Sequence, residues 1–260
     1  MKKLTAIIIL ITGILTISVL NFAQVREVFE LNIKDASVDT KIINKDNKFI
    51  KANLKIPVLI IANKQMQSAI NKKIESDIME FYNSSFKEAQ SYLNDFPDQE
   101  SHFAISSDFE VKKNTDKVFS ILIKYYEYSG GAHGSYEYVP YNVDLTSGRV
   151  FILKDIFKEN SKYREVIDKE IKKQIRELNV KNNLPEDSNQ LYSFKGIKET
   201  QKFYLADDKI VVFFDLYDIA PYVAGIPEFE IRRDVVENIL NQKYLDIIFS
   251  TPITNKLSYR

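Results

Sequence analysis

Isoleucine recurs every fourth residue in two separate stretches, at Ile70, Ile74 and Ile78 and again at Ile167, Ile171 and Ile175. That spacing puts each set on one face of a helix and leaves Lys, Glu and Asp on the others. Met66, Phe81 and Tyr82 extend the first stripe, and Tyr163 and Leu178 extend the second. The first stripe predicts a long helix capped by Asn63 and fading near Leu93, before Pro97; the second predicts a helix starting near Ser161. Each apolar stripe has to be buried against a second layer, so neither helix is stable without the segments that follow it.

Those segments read as strands. Phe49–Ile61 is apolar and extended, with Pro57 pointing to an edge or a bulge. Phe103–Val111, Val118–Tyr128, Tyr136–Leu145 and Val150–Leu153 then form a meander, in which Phe119, Ile121, Ile123 and Tyr125 share one face. After the second helix come Lys202–Leu205, a turn at Asp207-Asp208, Ile210–Leu216, Phe229–Ile231 and a short helix at Val235–Leu240. The expected class is α+β, with antiparallel sheets packed against one long helix in each of two adjoining subdomains. The expected limits are 46–147 and 148–250, preceded by a tether at 24–45 that holds at most one short strand.

The N-terminus sets the location. Lys2 and Lys3 precede an apolar run from Leu4 to Ala23, and the next charge is Arg26. A basic flank before such a run has the form of a signal peptide or an N-terminal membrane anchor, so residues 1–23 predict an extracytoplasmic protein, secreted or held at the outer face of the membrane. Contact with the membrane is then limited to residues 4–23, if they are not cleaved. No Cys is present for a lipid anchor, a disulfide or thiol chemistry. Lys+Arg and Asp+Glu tie at 36 each, which provides no field for nucleic acid. His102 and His133 are the only histidines, too few for a multi-histidine metal site, and no cofactor is expected.

Two segments are candidates for recognition. Three of the seven Gly fall within the ten residues Tyr125–Gly134, beside six of the fifteen Tyr (125, 126, 128, 136, 138 and 141). Gly130, Gly131 and Gly134 call for unusual backbone or close approach, while Tyr128, Ser129 and His133 bring polar and aromatic groups to the same turn. The second segment, Asp215–Pro227, holds Tyr217, Pro221, Tyr222 and Gly225 in a stiff loop. Both segments also admit a purely structural role, as a tight hydrogen-bonded turn and a rigid corner over the core. Gly130-Gly131-x-x-Gly134 lacks the spacing and the lysine of a phosphate loop. A Ser129–His133–Asp144 triad lacks a nucleophile elbow. Asp215 and Asp218 are a carboxylate pair of the kind that 36 acidic residues produce by chance.

Tyr125–Phe157 (YYEYSGGAHGSYEYVPYNVDLTSGRVFILKDIF) and Phe203–Ile231 (FYLADDKIVVFFDLYDIAPYVAGIPEFEI) resemble a bacterial extracytoplasmic module. That module is found in the lysozyme-sensing ectodomain of anti-sigma-V factors and ahead of the catalytic domain in some peptidoglycan deacetylases. The resemblance spans roughly residues 45–245. It implies recognition in the cell envelope, with cell-wall glycan or a wall-acting protein such as lysozyme as partner. Two departures limit the transfer. Only Met1-Lys2-Lys3 precede the apolar run, too little to hold a sigma factor, and neither a catalytic domain nor a zinc-ligand histidine pair is present. The expected function is therefore binding or sensing without catalysis, through Tyr stacking and turn backbone groups. The rival expectation is an envelope glycan hydrolase using Asp215 or Asp218 with His133.

Overall fold

The computed structural model describes residues 36–249. The apolar run at 4–23 and the first part of the expected tether lie outside these residues. The later part of that tether is not a tether: Ser37–Asp46 form a full strand, β1, paired antiparallel with β2 (Ile50–Ile60) from Ser37↔Ile60 to Asp46↔Lys51. Most of β1 is exposed on both faces, so no apolar alternation marks it and the backbone ladder alone secures it.

Helix α1 (Lys64–Asp95) begins where expected. The Asn63 side chain accepts a hydrogen bond from Met66 N at 3.0 Å, and Ile70, Ile74 and Ile78 are buried. Asn71, two turns in, both donates to Leu59 O (2.9 Å) and accepts from Leu59 N (2.8 Å), so the helix completes the edge of β2 that β3 leaves open. The helix carries the chain across to β3 (Phe103–Asn114), which lies parallel to β2 over Ile50–Leu54. This is one departure from the expected all-antiparallel sheet, and it follows from the long helical connection. The β3 pairing stops at Leu54, which leaves Pro57 in a part of β2 with a single neighbour.

β4 (Val118–Tyr128), β5 (Ser135–Asp144) and the two-residue β6 (Arg149–Val150) complete a six-stranded sheet in sequence order. The strand expected at Val150–Leu153 is cut short because Asp155 accepts from both Arg149 Nη2 (2.9 Å) and Ile152 N (3.1 Å), turning the chain into a 3-10 turn at Leu153–Ile156.

The second half has α2 (Tyr163–Lys181) over a three-stranded sheet, β7 (Phe203–Ala206), β8 (Lys209–Phe213) and β9 (Glu228–Arg232). The expected terminal helix is instead two: α3 (Arg233–Val236) and α4 (Gln242–Ile248). Buried side chains sort into two main clusters, one around α1 and one around α2. A third joins Leu122 of β4 to Tyr204, Val211 and Phe213 of the small sheet. β4 is thus covered on both sides. Phe119, Ile121, Ile123 and Tyr125 face α1, while Val118, Ser120 and Leu122 face the second half.

Polar clamps fix the two halves. Ser120 Oγ donates to Asn142 Oδ1 (2.7 Å) and accepts from Leu205 N (3.0 Å), and Asn142 Nδ2 donates to Phe203 O (2.9 Å). A bulge between Val111 and Lys113 turns Lys113 inward, where its ammonium donates to the carbonyls of Ile248 (2.7 Å) and Asp207. Burial lowers its pKa. Asp144, fully buried, accepts from Thr146 N, the Thr146 and Ser147 hydroxyls and Lys243 Nζ of α4. Burial alone would raise the pKa of this carboxyl; the Lys243 ammonium and the two hydroxyls outweigh it and hold it at about 2. Asp144→Ala should cost about 3 kcal/mol near neutral pH, the low end for a broken buried pair because Lys243 reaches solvent. Since the folded-state pKa lies below the unfolded value of about 3.9, the wild type's advantage is complete above that pH and disappears as pH falls toward 2. Urea unfolding of both proteins across this range checks it.

Candidate functional site

The β4–β5 hairpin is built to bend sharply. Gly130 (φ 108°) and Gly131 (φ 89°) occupy backbone conformations that disfavour any side chain, and the Tyr128 hydroxyl donates across the turn to Gly131 O at 2.9 Å. Ser129 lies exposed at the tip. Gly134 is needed for space: a Cβ there would sit 2.5 Å from Tyr126 Cζ. Tyr126 is in register with Tyr136 on β5, and their rings meet at 5.2 Å between centroids.

The second loop arrives from the other half. Pro221 leads a 3-10 turn at Tyr222–Ala224 that Gly225 closes with φ 68°. Tyr217 itself has φ 67°, a strained conformation for an aromatic residue. Tyr222 lies over His133 with centroids 3.9 Å apart and planes 20° from parallel, and its hydroxyl donates to Gly134 O at 3.0 Å. His133 Nδ1 is 3.0 Å from the same carbonyl, which can only accept, so this nitrogen carries a proton. Desolvation, then the neighbouring Tyr136 hydroxyl, raises the pKa of Tyr222 and keeps it a donor. Tyr217 packs 6.0 Å from Tyr222 on a tilt and is 63% exposed; Val223, at the loop tip, is 91% exposed.

The structure therefore joins His133 and Gly134 of the hairpin to Tyr217 and Tyr222 of the loop. Tyr128, Gly130 and Gly131 shape the hairpin turn without reaching across. Tyr126 and Tyr136, noted among the hairpin tyrosines but not as site residues, and Val223, not singled out at all, complete the surface. Hairpin register would have paired the two tyrosines, whereas nothing in the sequence marks Val223. The picture of tyrosines stacking on a ligand needs correcting for Tyr222. One ring face is covered by His133 and Tyr217 crowds it further, so the exposed aromatic surface here is that of Tyr217 and, on the hairpin, Tyr136.

The catalytic alternatives fare differently. Asp144 is at the far end of β5 from His133, roughly 30 Å of extended chain, and all its contacts are the clamp described above. Asp215 pairs with Lys202 and Asp218 with Lys198, each at 2.9 Å, and neither bonds to His133. Among the described residues no group of three His, Asp or Glu is placed to hold a metal ion, and no helix is long and apolar enough to cross a membrane.

Comparison with known proteins divides the chain in two. Residues 43–136 match the family described as deacetylase PdaC, and residues 154–234 match a family described as a protein of unknown function, DUF3298. The chain is 27% identical over 204 residues to the anti-sigma-V factor RsiV of Bacillus subtilis, covering 74% of this chain and 67% of that protein. It is 23% identical over 212 residues to the peptidoglycan-N-acetylmuramic acid deacetylase PdaC of the same organism, covering 81% of this chain but only 43% of that protein. A DUF3298 family structure from Bacteroides fragilis superimposes with a TM-score of 0.63 at 19% identity, covering 82% of this chain and 96% of that one. A second, from Pseudomonas aeruginosa, gives 0.58 at 18%, covering 80% and 95%. This is an α+β module resembling those of RsiV and PdaC. The similarity supports an extracytoplasmic, envelope-related module.

The two matched segments meet at the candidate site: His133 and Gly134 lie in the PdaC-like part, Tyr217 and Tyr222 in the DUF3298 part. At this site a hydrogen bond and a ring stack join them, in addition to the Ser120 and Lys113 clamps and the Leu122 cluster farther along β3 and β4. Gly134→Ala should displace the Tyr126 ring, open the Tyr222–Gly134 bond and cost about 1–3 kcal/mol. Thermal unfolding, with the loss of the ring-current shift on His133 in NMR spectra, measures it.

Proposed function

We propose that this chain is a non-catalytic recognition module on the outer side of a bacterial cytoplasmic membrane, contacting cell-wall glycan or a wall-acting protein such as lysozyme. The observation that carries the reading is the pair of loops locked together by the His133–Tyr222 stack, with Tyr217 and Val223 held outward on it. Fixing both loops beforehand lowers the ordering cost of binding. Tyrosine is among the residue types enriched in protein-binding hot spots, and Val223 adds exposed apolar surface beside Tyr217. Stacking on a sugar needs an open ring face, and Tyr222 has little to offer; at this surface the protein partner is favoured.

The basic flank and apolar run at the N-terminus support export, and the likeness to RsiV and PdaC supports the envelope setting. The absence of catalysis is part of the proposal. It is motivated by carboxylates already committed to lysines and a histidine committed to a carbonyl.

The test is lysozyme binding to the full chain by surface plasmon resonance. Val223→Asp should weaken it at least about tenfold without changing thermal stability, because the side chain touches solvent. No binding by the wild type, or unchanged binding by both Val223→Asp and Tyr217→Ala, rejects this partner. Glycan turnover abolished by Asp215→Asn or His133→Ala would replace the reading with that of a hydrolase.

A further inference from the structure

Behind the loop that carries Tyr217 lies a second feature, a cleft of about 550 Å³ between residues 189–198 and 214–221. Its size falls among small-molecule sites. Phe214, Ile219 and Ala220, all buried, contribute apolar surface, and Tyr217 stands at the side. The cleft carries two lysines and one aspartate. Lys198 is taken by Asp218 at 2.9 Å, whereas the Lys195 ammonium has no ion pair or hydrogen bond among the described residues. The side-chain amides of Asn189 and Gln190 and the hydroxyl of Ser193 line the same cleft, also without protein partners among the described residues.

These groups are carried on fixed backbone. Gly196 adopts φ 123°, and a Cβ on it would be 3.0 Å from Asp168 Oδ2 of α2, so the residue beside Lys195 has to be glycine. Ile197 N donates to Asp168 Oδ1 at 2.8 Å. Between the two walls Ser193 N donates to Ile219 O at 2.7 Å, and Phe194 meets Phe214 edge-on at 5.7 Å. Tyr217, with its strained φ of 67°, lies between this cleft and the aromatic tip.

We propose that the cleft binds an N-acylated sugar bearing a carboxylate. The Tyr217 ring suits the C–H face of a pyranose. Asn189, Gln190 and Ser193 offer donors and acceptors to hydroxyls and the acylamino group. The unpaired Lys195 ammonium meets the carboxylate, and the apolar lining receives the acyl methyl. This site shares Tyr217 with the protein-docking surface but draws its polar contacts from Asn189, Gln190, Ser193 and Lys195, which that surface does not use, and it rests on the envelope reading for the setting in which such a sugar is met.

The experiment titrates the full chain with N-acetylmuramic acid and, separately, with N-acetylglucosamine, which lacks the lactyl carboxylate, following both by ligand-observed NMR and calorimetry. The acidic sugar should bind about tenfold more tightly, the difference made by one charge-assisted contact. Lys195→Gln should remove that preference, while Lys172→Gln, an exposed lysine elsewhere on α2, should keep it. Equal affinities in the wild type, a preference that survives Lys195→Gln, or no response to either sugar overturns the proposal. Lysozyme takes no part in these titrations, so failure here leaves the protein-docking reading standing, and failure there leaves this one.

Discussion

β4 is covered on both faces, and the rest of the molecule is arranged around that fact. One face carries Phe119, Ile121, Ile123 and Tyr125 into the α1 core, while Leu122 packs into the joint with the small sheet. Side chains of this kind each contribute about 2 kcal/mol by leaving water. A strand that needs cover on two sides cannot be completed by the first half alone. The second half supplies the missing layer, and the Ser120–Asn142 pair bonded to β7 backbone sets its position.

The candidate site follows from this joint. β4 and β5 run past the small sheet and end in the glycine turn, and the connection from β8 to β9 reaches that turn from the other half. Where they meet, His133 and Tyr222 stack and Gly134 accepts from both. The contact is energetically modest, about 0.5–1.5 kcal/mol for the rings. Its effect is geometric: it holds the neighbouring Tyr217 and Val223 as a fixed projection instead of a mobile loop.

The proposed recognition surface is assembled from both halves of the molecule. Each matched family segment contains only part of it, and the cleft beside it belongs wholly to the DUF3298 segment. Tyr217 touches both features.

The periodic isoleucines of both long helices, the Asn63 cap, the face-sharing residues of β4 and the glycine turn were legible without coordinates, because each is dictated by residues close in the chain. β1 was read as at most a short strand because an edge strand wet on both faces carries no apolar alternation. The parallel β2–β3 pair, the inward turn of Lys113 and the Asp144–Lys243 clip were not legible, since their partners lie up to 135 residues away. The two recognition segments were each visible as local concentrations of Gly, Tyr and Pro. That His133 would lie on Tyr222, and that this would close one ring and leave Tyr217 open, was decided only when the second half packed against β4.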